Sequence, residues 1–160
     1  MHLKSRLSLS GLVLVVLAAC TSSQLLAPDS PEDLLRAFVA ALNHADVDAV
    51  TNLLDPEATA FLPLDSAAAE LVGRESIRST FGTFFRDLRQ NSLGPEYMHL
   101  VPKSVHIQLA GGGVAIVTFD AGAGPVTSRR TLVIRRTQAG WRILHFHGSN
   151  IRKSTTGAGA

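Results

Sequence analysis

The apolar positions of this chain follow two periods, helical in the first half and alternating in the second. Leu34, Leu35, Phe38, Val39 and Leu42 recur at three- and four-residue spacing and predict an amphipathic helix running to about Asn43. Ser30-Pro31-Glu32-Asp33 supplies its start: a capping hydroxyl, a proline at the first helical position and carboxylates in the first turn. Asp46 predicts the cap of a second, shorter helix bearing Val47, Val50, Leu53 and Leu54, which Asp55-Pro56 stops. Ala58 to Leu62 predicts a brief strand, and the Ala-rich stretch from Leu64 to Gly73 predicts a loop. A third helix follows Gly73, with Ile77, Phe81, Phe84, Phe85 and Leu88 as its apolar stripe.

Beyond Met98 the period changes to two, and four strands are predicted: Met98–Leu109, Val114–Asp120, Val126–Arg136 and Trp141–Ser149. Pro102 predicts an edge position or a bulge near the start of the first. Gly111-Gly112-Gly113 reads as a hairpin turn, because neither a helix nor a lysine follows to complete a phosphate cradle. Strict alternation in the last strand places Trp141, Ile143, His145, His147 and Ser149 on one face and Arg142, Leu144, Phe146 and Gly148 on the other. Large apolar groups on both faces predict an interior strand covered on both sides. Helices first and then consecutive strands joined by short turns give an α+β fold, three helices on a mostly antiparallel sheet.

Composition adds a limit. The chain has 160 residues, 46% hydrophobic and 18% charged, which suits one globular domain with a real core. Its formal net charge of +2 vanishes once Lys4 and Arg6 are set aside with the leader, leaving 13 basic against 13 acidic side chains. The remainder is polarised, with 12 acids and 5 bases between Asp29 and Leu100, then 8 bases and 1 acid from Val101 onward. A neutral, polarised domain argues for no nucleic-acid partner and suits pairing within or between subunits.

Residues 1–20 read MHLKSRLSLSGLVLVVLAAC: two cations, an apolar run too short to span a bilayer comfortably, then Leu17-Ala18-Ala19-Cys20. That ending resembles the lipobox of bacterial lipoproteins, which implies cleavage before Cys20 and acylation of its thiol. Cys20 is the one cysteine of the chain, so no intramolecular disulfide and no cysteine metal site is expected. The expected organisation is a signal peptide over 1–19, a tether over 20–29, a folded domain over 30–151 and a disordered tail over 152–160. The expected location is the cell envelope, lipid-anchored to a membrane through Cys20. Thr21 in place of Asp favours the outer membrane where the organism has one.

Within the domain, Asp55-Pro56 with Thr59-Ala60-Phe61, Val105-His106-Ile107, Arg135-Arg136, and Trp141 followed by His145-Phe146-His147 and Ser149 resemble a known superfamily. It is the SnoaL-like, or nuclear transport factor 2-like, superfamily, and within it the association (hub) domain of calcium/calmodulin-dependent protein kinase II. The resemblance covers roughly residues 31–150 and implies a cone, with helices closing over the concave face of a curved sheet. It also implies a convex sheet face used for subunit packing, on which Trp141, His145 and His147 would form a homo-oligomer interface. No kinase motif accompanies it.

The hub pocket is an anion site whose arginines come from the last three strands. Aligned strand by strand, this chain places Asp120, Thr131 and Gly148 there, and a one-residue slip brings Arg130 in for Thr131. The unslipped alignment implies a pocket lined by Phe38, Phe84 or Phe85, Asp120, Thr131, Leu144 and Phe146, suited to a small neutral or cationic apolar ligand. Two functions are then expected in order. The first is a non-enzymatic small-ligand-binding and self-association module without cofactor. The second is a small lyase, isomerase or hydrolase with Asp120 as general base, as superfamily enzymes use a pocket Asp beside an oxyanion donor. Tyr97 is the one tyrosine available for that second part. His145 and His147 would need a third ligand to hold a metal, and His106 is the candidate, so no metal is expected.

Overall fold

The computed structural model describes residues 27–64, 69–122 and 126–152. The signal peptide, Cys20 and most of the tether lie outside the described residues, as does the tail beyond Arg152.

Helix α1 spans Pro31–Asn43, and the Ser30 hydroxyl accepts a hydrogen bond from the Asp33 amide. Helix α2, Val47–Leu53, is capped by the Asp46 carboxylate, which accepts from the Ala49 amide at 2.9 Å. It stops at Leu53, and the chain passes at once into strand β1, Leu54–Phe61. This strand is longer than expected, because Asp55 and Pro56, besides stopping the helix, belong to the strand. The expected loop after it contains a two-residue strand, β2, Leu71–Val72, which pairs antiparallel with β1. Helix α3, Arg74–Gln90, starts after Gly73, whose φ of 85° is the left-handed region that favours glycine.

Four strands follow among the described residues: β3, Lys103–Gly111; β4, Val114–Ala121; β5, Val126–Thr137; and β6, Gly140–Arg152. The sheet order is β2-β1-β6-β5-β4-β3, open at both edges. It is mixed, since β1 runs parallel to β6 and every other pairing is antiparallel. The edge position of β3, with Pro102 immediately before it, is where a proline costs no ladder bond.

One face of the sheet carries the helices. Val117, Leu132, Ile134 and Ile143 point into that layer, where Leu34, Phe38, Ile77 and Phe85 meet them, all essentially without solvent contact. Phe38 meets Phe146 edge to face, with ring centroids 5.3 Å apart.

The face assignment of β6 differs from strict alternation, and the cause is local. Ile143 pairs with Ile134 and His145 pairs with Val133, so the register shifts by one residue and Leu144 is bulged out of the ladder. The extra residue reverses the alternation beyond it. Trp141 and Ile143 therefore lie in the buried core together with Phe146 and Gly148, while His145 and His147 point outward. Trp141, expected on the convex interface, is a core residue. The strand is interior in the sheet order, and among the described residues only one of its faces is covered by helices.

Candidate ligand-binding cavity

Between the helices and the end of the sheet near Asn150 lies a cavity of about 200 Å³. Its apolar walls come from Leu42 at the end of α1, from Leu62, Pro63 and Leu64 after β1, and from Phe81 and Phe84 on α3. Met98 and Phe146 complete them. The polar groups are few: Arg130 and Ser128 on β5 and Asn150 on β6. No Asp, Glu, His or Tyr is among the described residues that line it.

The sheet register dictates this arrangement. Leu132 pairs with Phe146, Arg130 with Gly148 and Ser128 with Asn150 on the inward face, and of these Ser128, Arg130, Phe146 and Asn150 line the cavity. Gly148 makes the approach of Arg130 feasible. A Cβ at this position would stand 2.8 Å from Pro63 Cδ, closer than real Cβ atoms come, and 3.2 Å from Arg130 Nη1, tighter than most do. Gly148→Ala should therefore destabilise the fold by roughly 1–3 kcal/mol through overpacking. It should also push the guanidinium or the Pro63 turn aside, and urea unfolding checks the first of these effects.

Arg130 has no carboxylate partner among the described residues. Its Nη1 donates to the backbone oxygens of Arg129, at 2.9 Å, and Ser149, at 3.2 Å. Burial strips water from the guanidinium and lowers its pKa from the ordinary arginine value. At the same wall, Ser128 Oγ donates to Asn150 Oδ1 at 2.7 Å, which leaves the Asn150 amide nitrogen as a donor. An apolar chamber with one partly desolvated cation and one amide donor is complementary to a small molecule with an apolar body and an anionic head.

The structure places the expected pocket residues differently from the strand-by-strand alignment. Phe84 and Phe146 line the cavity, whereas Phe38 stands behind Phe146 and Phe85 is buried in the core. Leu144 is the bulged residue and does not line it. Thr131 pairs with His147 and faces outward. Asp120 also faces outward, between Lys103 on β3 and Arg129 on β5, because Phe119 and Ala121 take the inward positions beside it. A carboxylate there cannot act as a general base inside the cavity. The slipped alignment, with Arg130 in the wall, describes the molecule.

The outer face forms cross-strand rows. Lys103, Asp120, Arg129 and Ser149 make a charged and polar row, and His106, Thr118, Thr131, His147 and Phe61 make the next. A third row runs through Gln108, Ile116, Val133, His145 and Thr59. His106 is three strand spacings from His147, about 14 Å, too far to share one ion with it. His145 Nδ1 instead meets Thr59 Oγ1 at 2.7 Å, and both imidazoles flank the Phe61 ring, with centroids 6.1 and 5.8 Å away.

At the other end of the sheet lies a group that the sequence reading passed over. Asp55, 1% exposed, accepts a bidentate pair from Arg135, Nε to Oδ2 at 2.6 Å and Nη2 to Oδ1 at 2.7 Å. The Glu57 amide adds a third hydrogen bond at 3.0 Å. Burial alone would raise the carboxyl pKa, but the Arg135 pair and the Glu57 amide outweigh it and hold it below the ordinary value. Arg142 stands directly across from Arg135, and Arg74 donates to the Leu54 carbonyl beside Asp55. Asp55-Pro56 and Arg135-Arg136 were legible as matching pieces of the resemblance, but not as partners.

Comparison with known proteins agrees with this architecture. Residues 32–153 match the family model described as a SnoaL-like domain. Among solved structures, a Thiobacillus denitrificans protein provisionally described as a calcium/calmodulin-dependent protein kinase type II association domain is 24% identical, with a TM-score of 0.60 over 79% of this chain and 98% of its own. A ketosteroid isomerase-like protein from Erwinia carotovora atroseptica is 16% identical, with a TM-score of 0.62 over 76% of this chain and 94% of its own. A nuclear transport factor 2-like protein from Pseudomonas putida is 17% identical, with a TM-score of 0.61 over 78% and 87%. These identities speak to the fold alone. No curated protein matches the sequence.

Proposed function

The chain belongs to the SnoaL-like family, and from that premise we propose that it is a small-ligand-binding module, held at a membrane through acylated Cys20. Its cavity takes a small apolar acid. The observation that carries this reading is Arg130, a partly desolvated guanidinium without a carboxylate partner among the described residues, set in an otherwise apolar wall. The reading departs from the expectation of a neutral or cationic ligand, since the charge in the wall is Arg130 and not Asp120. Catalysis by Asp120 falls away for the same reason.

Titration with benzoate-sized acids should give saturable one-site binding that perturbs the ring resonances of Phe84 and Phe146. Absence of saturable binding by any small acid at millimolar concentration would overturn the reading.

Self-association through the outer sheet face is the second part of the proposal. Phe61, 40% exposed, lies there with Ile116, Val133 and the two imidazoles, and no helix among the described residues covers them. The protein should run as a dimer or larger in light scattering at micromolar concentration. His147→Glu should weaken it at least tenfold, because a carboxylate would be desolvated there beside Phe61. A monodisperse monomer of the wild type at high concentration would remove this part while leaving the cavity reading in place.

A further inference from the structure

The point where the tether enters the domain is fixed by the structure. The Trp141 amide donates to the Pro28 carbonyl at 2.9 Å, and Arg136 Nη1 donates to the Asp29 carbonyl at 3.1 Å. Gly140 makes room for this seat. Its φ is +88°, and a Cβ there would lie 2.7 Å from the Pro28 oxygen and 3.0 Å from the Ala27 Cβ. The chain thus leaves the domain beside the β5–β6 turn.

The cavity opens at the opposite end. Asn150 is its exposed lining residue, and Phe146, further toward the turn, is buried. Along β5, Thr137 marks the tether end and Ser128 the cavity mouth. At the strand rise of roughly 3.3 Å per residue they are about 30 Å apart. The chain from Cys20 to Pro28 reaches at most about 29 Å when fully extended.

We infer that the cavity mouth faces away from the membrane and that its ligand is a water-soluble small acid taken from the aqueous phase, not an acyl chain drawn from the bilayer. This rests on the reading of Cys20 as the anchor and of the cavity as an acid site. Pressing the mouth onto a bilayer would lift Pro28 about 30 Å above the surface, at the limit of a fully extended tether and against its conformational entropy. The β5–β6 turn is instead the part held next to the lipid.

The test uses the full chain expressed in bacteria with its leader and reconstituted into vesicles. Intact mass first establishes whether Cys20 carries acyl chains. A fluorophore is then placed at Gln138→Cys, in the exposed β5–β6 turn, or at Leu93→Cys, fully exposed beyond the end of α3, whose Arg89 donates to the Ala45 carbonyl three residues past the cavity-lining Leu42. The vesicles contain lipids with a nitroxide on the headgroup. With acyl mass present, strong quenching of the Gln138→Cys label and little of the Leu93→Cys label is the expected result. Equal or stronger quenching at Leu93→Cys in the acylated protein overturns the orientation while leaving the anchor intact. A chain without acyl mass overturns the anchor reading, and the orientation falls with it.

Benzoate binding to the vesicle-bound protein, read by calorimetry, keeps the cavity separate. It should match the affinity of the detergent-solubilised protein within about twofold. Loss of benzoate binding on vesicles alone would contradict an open aqueous mouth. Its absence in both forms would count against the acid site, whatever the quenching shows.

Discussion

Replacing Asp55 by alanine is expected to cost about 3 kcal/mol, the low end of the range for removing one partner of a buried ion pair. The carboxylate is essentially out of solvent and accepts three hydrogen bonds, two from Arg135 and one from the Glu57 amide. The low end applies because the Arg135 side chain is 38% exposed and regains some hydration when released. Without the carboxylate, Arg135 and Arg142 face each other across an antiparallel pair with Arg74 nearby, an arrangement in which like charges repel. Urea unfolding should show the midpoint fall with little change in slope.

The same experiment has a pH dependence of fixed sign. Asp55 has a folded pKa below its ordinary value, so its contribution is fully present above the unfolded carboxylate pKa of about 3.9 and is lost as pH falls through the folded value. The stability gap between wild type and Asp55→Ala should therefore be constant near neutrality and narrow below about pH 4. A gap that stays constant down to pH 2 would mean that the ionised carboxylate is not what stabilises this end of the sheet.

Arg130→Met is expected to weaken binding of a small acid by roughly ten- to a hundredfold while leaving the unfolding midpoint nearly unchanged. The affinity loss is the size of one or two hydrogen bonds to a charged group, about 1.5–3 kcal/mol. Stability should hold because the guanidinium donates only to backbone oxygens and carries a desolvation cost in the free protein. Methionine keeps much of the apolar stem and removes the guanidinium, whose Nη1 is the atom that lies close to Gly148. Affinity unchanged in this variant, with the fold intact, would remove Arg130 as the anchor.

The helices and strands were readable because their signals are local. The Ser30 and Asp46 caps, the Phe-rich stripe of α3 and the period-two strands each depend on residues close in sequence. The site was harder because it depends on registers. In β5 the inward set Arg130, Leu132, Ile134 and the outward set Thr131, Val133 both carry apolar residues, so alternation alone does not choose between them.

In β6 the burial of apolar residues and strict alternation conflict. No unbroken alternation buries Trp141, Ile143 and Phe146 on the same face, and a single bulge at Leu144 does. The apolar burial gained outweighs the ladder bond lost at the bulge. That bulge moves Trp141 from a supposed interface into the core. It also leaves His145 and His147 outside.

Asp120 was misplaced for a related reason. The kinase-hub alignment favoured it over the plainer pattern of β4, where Ala115, Val117, Phe119 and Ala121 are all buried. The Asp55–Arg135 pair was hidden by distance, since its members are 80 residues apart and meet only through the parallel pairing of β1 with β6.

Calorimetry with three isosteric ligands, an apolar acid, its amide and the corresponding amine, tests the cavity most directly. With the structure's Arg130 in the wall and no carboxylate among the described lining residues, the acid should bind tightest, the amide at least tenfold more weakly and the amine most weakly. An amine that binds as well as the acid, or better, would contradict the account.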